Sequence, residues 1–271
     1  MSDRPRREGR AVSLLRRATA HPRVVPLTAL LLRARTVRPS AAFVARELLR
    51  RRGPFTYREA GGRLRVVVRH GSADPVTLGE VFHERTYAPP AELALDPRHI
   101  VDLGANVGYF GVFALDRWPR ASIEAYEPDP ENAAVHAHTI RINRLDDRWR
   151  LHRAAASNHD GQLRFHASGD ALSHVGEGGS LLVPAADVLP AIARVDLLKM
   201  DIEGGEWPIL ADARFASDPP RAIVLEYHPG GAPGPDPHEA VLERLAAAGL
   251  TATATIFRRS DGYGMLWAWR P

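Results

Sequence analysis

The residues that decide the fold are Val101-Asp102-Leu103-Gly104-Ala105-Asn106-Val107-Gly108-Tyr109-Phe110-Gly111. A buried-type strand, His99 to Leu103, runs here into a glycine-punctuated turn and then into a helix. Glycines at 104 and 108 remove side chains where the chain bends tightly, and the helix start that follows offers free N–H groups. A dinucleotide fingerprint needs G-x-G-x-x-G, but Asn106 stands where its second glycine would let a pyrophosphate approach. Phosphate binding is therefore disfavoured. Asp102 at the strand end would repel a diphosphate and attract an amine, which fits S-adenosylmethionine, a ligand with an amino-acid tail, a sulfonium cation and no phosphate.

Outward from this turn, buried-type strands alternate with helical stretches. The strands are His99 to Leu103, Ser122 to Tyr126, Trp149 to Ala155, Val195 to Met200 and Ala222 to Tyr227. The alternation predicts an α/β fold, a parallel sheet with helices on both faces. An insertion after the third strand, Gln162 to His166 and Ser180 to Val183, reads as a small hairpin. The tail holds a helix and two strands, Thr251 to Phe257 and Gly264 to Trp269, joined at Ser260-Asp261-Gly262 as a hairpin. Upstream lie a strand, Leu64 to Val68, a short helix through Glu80 to Glu84, and a break at Pro89-Pro90. The divisions expected are a basic helical arm over residues 1–60, a lead-in strand and helix over 61–97, and the main domain over 98–271.

The 271 residues are 45% apolar and 25% charged, which suits one globular domain with an appendage and excludes disorder and fibre. Cysteine is absent, which excludes disulfides, thiolate nucleophiles and Cys-ligated zinc and fits a reducing cytoplasm. Net charge is 36 − 32 = +4, yet residues 1–60 carry 15 Arg against four acids while the remainder carries 21 basic against 28 acidic groups. An acidic body weighs against a nucleic-acid substrate. In the arm, Ser40 is placed to cap a helix over Ala41 to Arg52 with an apolar stripe of Phe43, Val44, Leu48 and Leu49, read as packed on the body. The apolar run Val24 to Leu32 is interrupted by Pro26 and too short to span a bilayer, and Asp3 and Glu8 argue against a secretory leader.

The ionisable residues fall at strand ends. Glu127 ends the second strand 23 residues after Gly104, the spacing at which an acid meets ribose hydroxyls. Asp129 caps the next helix ahead of Pro130. Lys199 is the only lysine beside 35 arginines, which points to a compact ammonium balancing buried carboxylates. Strand alternation puts Lys199 and Asp201 on one face, with Asp201 toward the reaction centre. Glu226 and His228 end the fifth strand. Ligands of open α/β sheets sit beyond the carboxyl ends of the strands, so Asp102, Glu127, Asp201, Glu226 and His228 should meet in one crevice. His228 reads either as a general base or, with Asp201 and Glu226, as a divalent-metal ligand; the metal is the less favoured reading. Ser173 and Ser180 lack a strand-turn-helix elbow, so a serine hydrolase is disfavoured.

Taken together, Val101 to Gly108, Glu127-Pro128 and above all Leu198-Lys199-Met200-Asp201-Ile202-Glu203-Gly204-Gly205-Glu206 resemble the FkbM family of class I S-adenosylmethionine-dependent methyltransferases, from roughly Arg69 to Trp269. Ser72-Ala73-Asp74 and Glu80-Val81-Phe82 through Tyr87 resemble the family's lead-in. Gly205 departs from the alanine common at that position. The resemblance implies a Rossmann-like, mostly parallel sheet whose last strand is antiparallel, and O-methylation of hydroxyls on sugars, polyketides or other secondary metabolites. It implies a cofactor site of Asp102, Gly104, Ala105, Asn106, Gly108 and Tyr109, extended by Phe110, Glu127, Pro128, Asn132, Ala155 and Asp201. The catalytic candidates are Asp201, His228, Glu226, Lys199 and Glu203. The partner expected is a small hydroxylated molecule, with self-association open. The competing readings are an RNA, protein or lipid acceptor recruited by the arm, an NAD-dependent oxidoreductase, and a non-catalytic scaffold.

Overall fold

A computed structural model describes residues 27–166, 174, 175, 179 and 181–271; the Arg-rich stretch before Leu27, Ser173 and Ser180 lie outside the described residues. Helices α1 (Leu27–Arg35) and α2 (Ser40–Leu48) flank the short strand β1 (Val37–Arg38), which pairs with the hairpin β2 (Gly53–Glu59) and β3 (Arg65–His70). Helix α3 (Asp74–Gly79) continues into a π-helical turn, Glu80–Glu84. Then β4 (His99–Leu103), α4 (Tyr109–Arg117), β5 (Ser122–Tyr126), α5 (Pro130–Asn143) and β6 (Trp149–His152) alternate. Strands β7 (Ala155–Ser157), β8 (Gly161–His166), β9 (His174–Val175) and β10 (Leu181–Asp187) form a separate four-stranded sheet. Helix α6 (Leu189–Ile192), β11 (Leu197–Met200), α7 (Glu206–Ala211), α8 (Ala213–Ser217), β12 (Ala222–Tyr227), α9 (Pro237–Ala247), β13 (Ala252–Arg258) and β14 (Gly264–Trp269) complete the chain.

The central sheet has the order β13-β14-β12-β11-β4-β5-β6, parallel from β12 to β6, with β14 antiparallel to β12. This is the Rossmann-like arrangement expected. Its strands are apolar on both faces: Ile100 and Leu197 enter one core with α4 and the amino-terminal elements, while Val101 and Leu198 enter the other with α7 and α9. No helix among the described residues is long and apolar enough to cross a membrane.

Three expectations need correction. The division at residue 60 falls inside the β2–β3 hairpin, so the arm is not purely helical and part of it belongs to the core: Tyr57 is buried against Phe43, and its hydroxyl lies 2.8 Å from His70 Nε2. Helix α2 begins after Pro39 without a side-chain cap and ends at Leu48, leaving Leu48 and Leu49 exposed. The third strand divides after His152, because β6 joins the central sheet and β7 turns away to pair with β10. The small hairpin expected after it is the β8–β10 pair of the second sheet.

Gly111 lies in α4 where an added Cβ would come within 2.0 Å of the buried Trp149 ring. Gly111→Ala should therefore overpack this contact and cost about 1–3 kcal/mol, read from urea unfolding.

Candidate active site

Strand order reverses between β4 and β11, the switch point where open α/β sheets bind ligands. A cleft of about 400 Å³ opens there. The two strands approach closely enough that a Cβ on Gly104, whose φ is +78°, would lie 1.8 Å from the Asp201 carbonyl oxygen. Asp201 N–H donates to the Leu103 carbonyl at 3.1 Å, so the bend and the strand end are joined by backbone. Asn106 adopts φ 48°, a left-handed conformation that asparagine tolerates, and its side-chain oxygen accepts from Val107 N–H at 2.8 Å. Gly108, φ +89°, leaves room for the buried His136 ring.

Lys199 and Asp102 are directly opposite in the β11–β4 register. Lys199 Nζ lies 3.3 Å from Asp102 Oδ1 and 3.8 Å from Asp201 Oδ2, and donates to the carbonyls of Gly104 at 2.7 Å and Leu103 at 3.2 Å. Burial pushes the ammonium's pKa down, but Asp102 and Asp201 more than reverse this and hold it charged. Burial raises the Asp102 carboxyl, and Lys199 opposes that. Asp102 is wholly buried and does not reach the cleft, which corrects its expected place beside the ligand; it acts through Lys199.

Glu127 lines the cleft with both oxygens engaged by backbone: Oε2 accepts from Asn106 N–H at 2.7 Å and Oε1 from Asp129 N–H at 2.8 Å. Burial pushes its pKa up to about 7, against the pull of these two hydrogen bonds. Asn132, also on the wall, accepts from Arg69 Nη2 at 2.7 Å, and that guanidinium pairs with Asp74. Gly104, Ala105, Asn106, Tyr109, Phe110, Pro128 and Ala155 line the cleft with Lys199, Asp201, Glu203 and Glu226. Gly108 does not; it shapes the turn beneath.

His228 sits behind Glu203 rather than on the cleft wall. Its Nε2 is 3.2 Å from Glu203 Oε2 and its Nδ1 is 3.1 Å from Glu206 Oε1. Burial lowers its pKa, but the hydrogen bonds to Glu203 and Glu206 push it up to about 11. Both ring nitrogens are engaged by carboxylates and the ring does not line the cleft, so the structure does not bring His228 to the position expected of a general base. The convergence expected of five strand-end groups holds on the cleft wall for Glu127, Asp201 and Glu226.

The cleft also includes Thr77, Glu80, Thr86 and Tyr87 from the lead-in, Phe165 from β8, and Arg259 and Tyr263 from the last hairpin. Tyr87 donates to Asp201 Oδ2 at 3.0 Å and packs edge-on against Phe110. The resemblance of Glu80 through Tyr87 to the family's lead-in marked that segment; nothing local in the sequence marked Phe165, Arg259 or Tyr263.

The family model of the methyltransferase FkbM domain matches residues 102–250, more than half of the chain. The 31-O-demethyl-FK506 methyltransferase FkbM of Streptomyces tacrolimicus is 28% identical over 192 residues, 55% of this chain and 72% of that protein. The 2-O-methyltransferase NoeI of Sinorhizobium fredii is 28% identical over 154 residues, 47% of this chain and 62% of that protein. Among solved structures, methyltransferase FkbM from Methylobacillus flagellatus KT superposes with a TM-score of 0.47 at 16% identity, covering 65% of this chain and 44% of its own. TYW2 from M. jannaschii in complex with AdoMet gives 0.44 at 13% identity, covering 80% and 85%.

Lys199→Met would leave the Asp102 carboxylate buried without its ammonium. The fold should lose about 3–5 kcal/mol in urea unfolding. Adding Asp102→Asn should recover part of that loss, whereas equal stability of the single and double variants would mean that the two groups are not energetically coupled.

Proposed function

The chain belongs to the FkbM family of methyltransferases, and from that premise we propose that it moves the methyl group of S-adenosylmethionine onto a hydroxyl oxygen of a small molecule such as a sugar or polyketide. The family match sets aside the oxidoreductase reading. The observation that carries the proposal is the Glu127 carboxylate on the wall of a switch-point cleft whose turn has asparagine where a pyrophosphate would need glycine. The printed activities of both curated relatives, methylation at a 31-O and a 2-O position, support oxygen as the acceptor atom.

The residues present fit such a cofactor. Each Glu127 oxygen spends one lone pair on a backbone N–H and keeps another for a ribose hydroxyl. Tyr109, Phe110 and Pro128 offer apolar wall beside it. When bound, S-adenosylmethionine supplies an electrophilic methyl group on a sulfonium sulfur. The protein's task is then to hold an acceptor hydroxyl in line and to take its proton. Well-oriented reactants gain roughly 7–11 kcal/mol of barrier reduction from positioning alone. We assign the acceptor's proton to Glu226, a carboxylate that lines the cleft at the end of β12.

Calorimetric titration with S-adenosylmethionine and with NADH tests the cofactor; binding of NADH alone would overturn the proposal. Because an ionised Glu127 accepts from ribose hydroxyls more strongly than the neutral carboxyl, affinity for S-adenosylmethionine should be full above its pKa of about 7 and fall as pH drops through it. The expected loss is about tenfold from pH 8 to pH 6, and Glu127→Gln should flatten the profile. With tritiated cofactor and a panel of hydroxylated acceptors, Glu226→Gln should lower kcat by about 10²- to 10⁴-fold while leaving cofactor affinity unchanged.

A further inference from the structure

We propose that Asp201, Glu203 and His228 form a binding site for one divalent cation of the Mg²⁺ or Mn²⁺ class at the edge of the cleft. Only its catalytic consequence rests on the methyl-transfer reading. One oxygen from each carboxylate and one imidazole nitrogen lie within 4.8 Å of one another, the residues coming from the loop after β11 and the end of β12. An ion with ligand distances of about 2.0–2.6 Å holds neighbouring donors roughly 3–4 Å apart, so small side-chain rotations suffice to close the site.

A separate feature marks His228 as a ligand rather than a surface ion-pair partner. Its Nδ1 is taken by Glu206, whose side chain is fully buried. The Glu206 carboxylate is itself fixed by Ile202 N–H at 3.1 Å and by Gly204 N–H at 3.1 and 3.2 Å. A carboxylate that locks one ring nitrogen and presents the other outward is the usual outer support of a metal-bound imidazole. Here the presented nitrogen, Nε2, faces Glu203. Charge points the same way. Asp201, Glu203 and Glu206 gather around one imidazole, and the ammonium of Lys199, 3.8 Å from Asp201 Oδ2, is shared with Asp102 and two backbone carbonyls. Tyr87 steadies Asp201 by donating to its Oδ2.

Two carboxylates and one imidazole are a donor set suited to Mg²⁺ or Mn²⁺. The set differs from the one expected from the strand ends, because Glu203, turned by its φ of 54°, stands beside His228 where Glu226 was expected. Asp201 and Glu203 both line the cleft, so the ion's remaining positions face it and can take water or an acceptor oxygen.

The test uses the full chain, stripped with EDTA, desalted and titrated with Mn²⁺ while the free-ion EPR signal is followed. One saturable site per chain is expected, with imidazole-nitrogen coupling in the pulsed spectrum. Glu203→Gln and His228→Gln should each weaken binding by tenfold or more, on the order of the loss seen when metal-site residues are altered, and His228→Gln should abolish the nitrogen coupling. Circular dichroism verifies that both variants are folded. Absence of saturable binding, or binding undiminished in both variants without nitrogen coupling, would overturn the site. Titrating S-adenosylmethionine on the same sample separates the two ideas: cofactor binding without Mn²⁺ binding removes the cation site alone, and Mn²⁺ binding without cofactor binding removes the methyl-transfer reading alone.

Discussion

The ammonium of Lys199 holds two parallel strand ends at the distance the site needs. It neutralises Asp102 inside the sheet and donates to the carbonyls of Leu103 and Gly104, the residues at which β4 turns over. From Gly104 the hydrogen bonding continues, since the N–H groups of Gly104 and Ala105 both reach the Tyr126 carbonyl at the end of β5. Glu127 follows immediately and returns to Asn106 N–H. The circuit Lys199, Gly104, Tyr126, Glu127, Asn106 therefore ties three adjacent strands into one rigid rim. A buried ion pair is weak evidence for net stability, because desolvation offsets most of its attraction. What it secures here is geometry: removal of either charge leaves the other stranded beneath the rim.

Around that rim the electrostatics divide in two. On the β5 side, burial outweighs two backbone hydrogen bonds and lifts Glu127 to about 7. On the β12 side, His228 is held well above neutrality by two carboxylates. The β5 end of the rim thus carries a buried carboxylate held by backbone, and the β12 end a cluster of carboxylates around an imidazole. Such a division suits a site in which one end recognises a neutral polyol such as ribose and the other manages cationic and anionic groups.

Legibility followed the range of the interactions. Strands β4, β5 and β12 have the bounds read from the sequence, since each is a short apolar run with its limits marked by turn or charged residues. The positions of Glu127, Asp201 and Glu226 on the cleft wall followed from those bounds. The role of His228 did not, because it depends on how the Ile202 to Gly205 loop folds: Glu203 at φ 54° and Gly204 at φ +100° swing two acids toward the ring, and spacing alone does not encode this. Strand β2 was hidden by its setting among arginines, although Phe55 and Tyr57 alternate as a half-buried strand requires. Contacts such as Tyr87 with Asp201, 114 residues apart, are outside the reach of any local pattern.

The parts of the cleft that differ in origin also differ in task. Groups at the strand ends are fixed by the sheet's register and by the Lys199 circuit, so their positions move little when surface segments vary. The outer wall is assembled from three segments distant in sequence: Thr77 to Tyr87, Phe165 in the second sheet, and Arg259 with Tyr263 in the final hairpin. Segments of this kind tolerate substitution and insertion far better than strands buried on both faces. Changing them would alter the shape of the outer wall without disturbing the carboxylates at the strand ends, so under the proposed function discrimination among acceptors falls to these three segments and reactivity to the strand ends.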